Sequence, residues 1–219
     1  MRKNKDPHFY PILIDLGKFP CLVVGGGEVA LRKVLSILEF KADITVISSH
    51  FCKSLTNLAA EKKIKIIKNP YTKEYLSNFK IVFCATDNAE VNQIVHHDCS
   101  ERGILINVAD FPSLCDFILP ATVKRGNLTV SVSSQGKAPF FTKEIKHKIE
   151  SFISPVYEDV LDLAGEFREH VLKDKDVKTN QRKAKLFGCF NEINWEKSLS
   201  EKGKKKSRKQ LLNILNDVK

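Results

Sequence analysis

The chain of 219 residues, 24.8 kDa and 42% hydrophobic content can bury a core, which excludes a wholly disordered protein. With 28% charged residues and a mean hydropathy of −0.21, it has no apolar run of the ~18 residues that a membrane helix requires, so a soluble protein is expected. The net charge of +10 is concentrated late: from Lys173 onward 14 Lys/Arg face 6 Asp/Glu, and the run KGKKKSRK at 202–209 carries few aromatics. Such a segment reads as solvated, which argues against a nucleic-acid partner. The basic opening is broken by Pro7, His8, Pro11 and Asp15, so no export signal is expected. Cysteines 21, 52, 84, 99, 115 and 189 form no C-x-x-C pair and mostly sit in apolar runs, which fits reduced thiols and a cytoplasmic location.

In chain order, CLVVGG predicts a strand and Glu28–Phe40 a helix. ADITVIS is a second strand, followed by a helix near 51–62. IKIIKN is a third strand, with a short helix near 73–78. KIVFCAT is a fourth, followed by a helix over 88–102, and GILINVAD is a fifth. Runs such as Leu22-Val23-Val24 and Ile81-Val82-Phe83 suit parallel strands buried on both faces. Residues 1–112 therefore predict an α/β, Rossmann-like, doubly wound parallel sheet. Over 113–153 the pattern changes to two short extended runs around Arg125-Gly126-Asn127. A helix entered at Ala138-Pro139 follows, with Phe140, Phe141, Ile145, Ile149 and Ile153 at helical spacing. Over 154–219 a C-terminal helical region is expected, its helix from about Pro155 to Leu172 carrying Val156, Val160, Leu163, Phe167 and Val171. A basic tail follows, with LLNILNDV as a short closing helix. A strand pair and an amphipathic helix appended to such a body need a covering surface, and a second subunit supplies one, so a homodimer is expected.

CLVVGGGEVALRK places G-x-G-x-x-A between a strand and a helix, which is the setting of a dinucleotide-binding turn. Gly25 permits the tight turn, Gly27 admits a pyrophosphate to the backbone, and Ala30 allows close helix packing. The amides of Glu28 and Val29, at the positive end of the helix dipole, can hold phosphate oxygens. The second strand ends Ile47-Ser48-Ser49-His50, with no carboxylate for the ribose. Ser48, Ser49 and His50 must then hold it, and the residues alone leave NAD against NADP open. Thr86 and Asp87 end the fourth strand, facing the crevice, although Asp87 equally suits a helix cap, and Asn92 shares that ambiguity. Asp110 ends the fifth strand where the nicotinamide would lie. It is the candidate acid–base group, with a plain turn before Phe111-Pro112 as the alternative. The histidines make no H-x-x-x-H or Cys/His cluster, and neighbours His96 and His97 project about 100° apart on a helix, so no bound metal is expected.

Four motifs in order, GGGEVALRK, ATDNAEVNQ, NVAD with FPSLCDFILPA, and LTVSVSSQGKAP, together resemble the precorrin-2 dehydrogenase family, the siroheme synthase N-terminal type, over roughly residues 8–170. The resemblance implies NAD-dependent oxidation of precorrin-2 to sirohydrochlorin, a dimerisation region after the nucleotide domain, and Asp110 as the catalytic aspartate. It implies pyrophosphate contacts from Glu28 and Val29, and ribose or adenine contacts from Ser49 and His50. Ser133, Ser134 and Gln135 match a substrate loop that in the family is often Ser-Ser-Gly, so Gln135 departs from the pattern. Ser133 and Ser134, with Lys124, Arg125 and Lys137, suit the carboxylates of an acidic tetrapyrrole. Some family members also insert ferrous iron in the same cleft. A non-catalytic nucleotide-sensing module is the rival from another class, but it needs neither the Ser-Ser-His strand end nor the Ser-Ser-Gln loop.

Overall fold

Strands β1 (Cys21–Val24), β2 (Ile44–Ile47) and β4 (Ile81–Cys84) are buried at every position, as continuous apolar runs require. The computed structural model that shows this describes residues 8–173 and 179–200, with positions 203, 206, 207, 209 and 213. Its contacts divide the chain into two units, Met1–Leu119 and Pro120–Lys219.

In the first unit, β3 (Lys65–Ile67) and β5 (Leu105–Val108) complete a five-stranded sheet in the order β3-β2-β1-β4-β5, with every pairing parallel. The period of two along β1 sends Cys21 and Val23 to one face and Leu22 and Val24 to the other. The first face packs against α1 (Glu28–Leu38) and α2 (Lys53–Ala60) through Ala30, Val34, Ile37 and Leu55. The second packs against α3 (Ala89–Glu101) through Val95 and Cys99. Each fully buried aliphatic side chain contributes roughly 1.5–3 kcal/mol. The short helix expected near 73–78 is a 3-10 turn of four residues, Lys73–Leu76, too short to settle into α geometry. The sheet is Rossmann-like and doubly wound. Its strand order reverses between β1 and β4, which sets a ligand crevice at their carboxyl ends.

In the second unit, β6 (Ala121–Arg125) pairs antiparallel with β7 (Leu128–Val132). Gly126, at φ +56°, takes the first central place of the two-residue turn, where a II′ hairpin demands glycine. Helices α4 (Pro139–Phe152), α5 (Tyr157–Lys173) and α6 (Asn180–Asn191) follow. The expected α5 stripe is buried at Leu163, Phe167 and Val171, and it packs against Leu186, Phe190, Trp195 and Leu199. Phe190 and Trp195 rings lie 4.6 Å apart, and the Trp195 indole donates to the Phe190 carbonyl at 2.9 Å, so the buried nitrogen is satisfied. In contrast, α4 buries none of its residues, with Phe140 79% and Phe152 77% exposed. Most of the LLNILNDV segment and half of KGKKKSRK lie outside the described residues.

Candidate functional site

The three glycines after β1 have three different constraints. Gly25 has φ +124°, and a Cβ there would land on the Ala85 carbonyl, so only glycine turns the chain here. Gly26, which the sequence reading passed over as a spacer, lies under the β2–α2 connection. A Cβ there would strike the His50 carbonyl, while the Gly26 carbonyl accepts from the Cys52 amide at 2.8 Å. Its one sequence signal is its place as the middle glycine of an unbroken GGG. Gly27, with φ −92°, has an ordinary backbone, and a Cβ there would meet nothing within 4 Å. The helix α1 therefore begins beneath open space, and no side chain caps it. Uncapped amides at the positive end of a helix, with room above them, fit a pyrophosphate. Glu28 and Val29 stand in that first turn, and Ala30 is fully buried against the sheet.

Beyond β2, Ser48 is half-buried and its hydroxyl accepts weakly from the His50 amide at 3.4 Å, while Ser49 and His50 are exposed. The Gly26–His50 approach brings this strand end beside the glycine loop. At the end of β4, the Thr86 hydroxyl donates to Asn92 Oδ1 at 2.7 Å. Asn92 Nδ2 returns to the Thr86 carbonyl at 3.2 Å, and the Cys84 thiol donates to the same Oδ1 at 3.1 Å. Asn92 is thus a buried clasp that fixes Thr86 at the strand end. The helix cap expected at Asp87 belongs to Asn88, whose Oδ1 accepts from the Glu90 and Val91 amides. Asp87 itself is exposed.

After β5 the chain folds back along the sheet edge. The Ile106 amide donates to Asp116 Oδ2 at 3.0 Å, and the Asp116 amide donates to the Ile106 carbonyl at 2.9 Å. Asn107 Nδ2 donates to the Phe117 carbonyl at 2.9 Å, and the Phe117 ring packs edge-on against Phe83. The Cys115 thiol meets both the amide and the carbonyl of Val108. At the tip of this return Asp110 is exposed, with φ +62°, a conformation that costs a non-glycine residue about 1–2 kcal/mol. From α1, Lys33 donates to Asn107 Oδ1 at 2.8 Å. Burial pushes the Lys33 ammonium below its usual pKa, while the Asp110 carboxylate pulls it back up. Neither Lys33 nor Asn107 stood out as a site residue in the sequence, because their pairing joins positions far apart in the chain.

In the second unit, the Arg125 guanidinium donates to the carbonyls of Lys124, Glu150 and Ile153, which binds it to the end of α4. Ser133 Oγ accepts from the Gln135 amide at 3.0 Å, and Ser134 Oγ accepts from the Ala138 amide at 2.9 Å, at the entry to α4. Gln135, at φ +54°, adopts a left-handed shape despite its side chain, and Gly136 continues the turn at φ +84°. Among the described residues, no group of three or more His, Cys, Asp or Glu is placed to hold a metal ion.

The parallel sheet, the glycine turn and the uncapped α1 define a dinucleotide-binding Rossmann protein. Residues 12–121 match the family model described as "Putative NAD(P)-binding", and the chain belongs to that family. A siroheme synthase of Ruthia magnifica is 35% identical over 195 residues, 89% of this chain and 41% of the relative. A siroheme synthase of Methylobacillus flagellatus is 38% identical over 190 residues, 87% of this chain and 40% of the relative. The chain thus spans about two fifths of these curated relatives. Among solved structures, that of SirC, precorrin-2 dehydrogenase, has the same fold, with a TM-score of 0.71 at 23% identity, covering 96% of this chain and 98% of the other.

Proposed function

We propose that this protein oxidises precorrin-2 to sirohydrochlorin with NAD, and that Asp110 is its general acid–base group. The observation that carries the reading is the exposed, left-handed Asp110 at the carboxyl end of β5, on the same sheet edge that presents the glycine turn. The printed names of the relatives and of the structural neighbour support the substrate. When bound, the nicotinamide supplies a two-electron acceptor. The chain's own residues do the rest: the Glu28 and Val29 amides hold the pyrophosphate, and Ser48, Ser49 and His50 hold the adenine-side ribose. Thr86 and Asp87 line the crevice. As a ring carbon of the substrate is oxidised, the Asp110 carboxylate takes the proton released and passes it to water.

For the acidic tetrapyrrole, the Ser133 and Ser134 hydroxyls and the side chains of Lys124 and Arg125 are the proposed contacts, and the Arg125 guanidinium already donates to the carbonyls of Lys124, Glu150 and Ile153. The exposed aromatic side chains of α4 support a homodimer, with a second copy covering Phe140 and Phe152. Six cysteines without a disulfide suit a reducing cytoplasm, and no helix of the described residues is long and apolar enough to cross a membrane. The test is to incubate the protein with NAD and precorrin-2 under anaerobic conditions. Equimolar formation of NADH and sirohydrochlorin is expected. Cofactor binding without turnover would contradict the enzymatic reading and favour a sensor. Adding ferrous iron to the product mixture reads iron insertion separately, for which the same carboxylate would take the pyrrole protons.

A further inference from the structure

Asp110 occupies an unfavourable backbone conformation in a nine-residue return from Ala109 to Phe117, so something must fix both ends of that return. Three attachments do so along β5: Ile106 with Asp116, Asn107 with Phe117, and Val108 with Cys115. The middle attachment depends on an amide side chain that is buried and can face two ways. In one orientation its nitrogen reaches the Phe117 carbonyl; in the other, oxygen would face that carbonyl and the bond is lost. The Phe117 carbonyl and the Cys115 sulfur, which accept from Nδ2, favour the first orientation from one side, and the Lys33 ammonium, a group that only donates, set 2.8 Å from Asn107 Oδ1, fixes it from the other. Lys33 lies on α1, the helix whose first turn follows the glycine loop, so the helix that starts at the cofactor turn also fixes the strand that ends at the aspartate.

We propose that Lys33 is a positioning residue: by locking the Asn107 amide it holds the 109–117 return against β5 and keeps Asp110 in its left-handed, presented conformation. The ammonium acts through Asn107 and need not touch substrate or cofactor. Its half-buried setting suits this task, since an alternative water partner for Asn107 Oδ1 is less accessible there than on an open surface. The proposal deepens the acid–base reading of Asp110 and rests on it for its effect on turnover, but the clamp itself can be read without catalysis.

The experiment compares Lys33→Met, Lys33→Arg and Asp110→Asn with the unaltered protein in two measurements. The first is steady-state oxidation of precorrin-2, with NADH affinity by fluorescence titration. The second is backbone hydrogen exchange over 106–117 in the protein alone. Lys33→Met is expected to lower kcat about tenfold to a hundredfold, the range for a misplaced reacting group, with NADH affinity within about twofold. Its 106–117 amides are expected to exchange faster, and Lys33→Arg is expected to recover most of both losses. Unchanged exchange in Lys33→Met overturns the clamp. Normal turnover with fast exchange overturns the positioning role. A loss of NADH affinity as large as the loss of kcat would place Lys33 with the cofactor turn instead and also overturns it. If Lys33→Met does not fold, Lys33→Leu, which keeps apolar bulk and removes the donor, replaces it under the same criteria. Turnover retained in Asp110→Asn would remove the acid–base reading alone, because the exchange measurement still decides the clamp.

Discussion

At the scale of single residues, neighbouring glycines in GGG give opposite predictions. Gly25→Ala forces a side chain into the Ala85 carbonyl at φ +124°, and urea unfolding should show a loss of about 2–4 kcal/mol. Gly27→Ala meets open space, so it should cost at most about 1 kcal/mol, the value of a poorer helix start, yet weaken NAD binding about tenfold by titration. Unchanged NAD affinity in Gly27→Ala would contradict the pyrophosphate assignment. The needs of Gly25 and Gly27 were legible because they arise within the motif. That of Gly26 was not, because the His50 carbonyl that imposes it arrives from another strand. The Asn92 clasp was hidden for the same reason. Buried thiols give a pH prediction. Burial pushes Cys84 and Cys99 from 9.0 up to about 12, so the fold favours the protonated thiol. That contribution is whole below pH 9.0 and is lost as pH rises toward 12. The urea midpoint should fall over this window, and Cys99→Ala should flatten the fall. An equally steep fall in the variant would assign it to other groups.

At the scale of elements, Arg125 bridges β6 to the last turn of α4 through carbonyls that the helix itself leaves unsatisfied. Arg125→Met keeps the aliphatic stem and removes these bonds. We expect a loss of about 1–3 kcal/mol and faster amide exchange near Ile153, with no change confined to substrate affinity. A variant of full stability and lowered substrate affinity would instead assign the guanidinium to the tetrapyrrole. The central strands were legible because two-sided burial leaves a continuous apolar run. The helices α1 and α3 were legible because a one-sided stripe repeats every turn. Asp87 and Asn88 are both good caps in sequence, and the structure gives the cap of α3 to Asn88, which leaves the crevice role as the remaining reading of Asp87. The return along β5 was invisible in sequence, since bonds from Asp116, Cys115 and Asn107 to the strand edge are tertiary.

At the scale of the whole molecule, α4 buries none of its residues, and the proposed homodimer rests on that surface. The unaltered protein should sediment as a dimer, and Phe140→Glu with Phe152→Glu should sediment as a monomer that keeps its helical content. A monomeric unaltered protein would contradict the assignment. The sequence showed the stripe, but what covers it depends on surfaces that local periodicity does not encode. In the proposed mechanism chemistry and fold meet at the Asp110 carboxylate: the sheet order sets the crevice, the glycine turn is the proposed cofactor contact, and the folded-back edge carries Asp110. The most direct measurement is therefore the turnover of Asp110→Asn with NAD and precorrin-2, alongside NADH affinity. Loss of the acid–base group should lower kcat by about 10²–10⁴-fold while NADH binds as before. Full turnover in that variant would contradict the account.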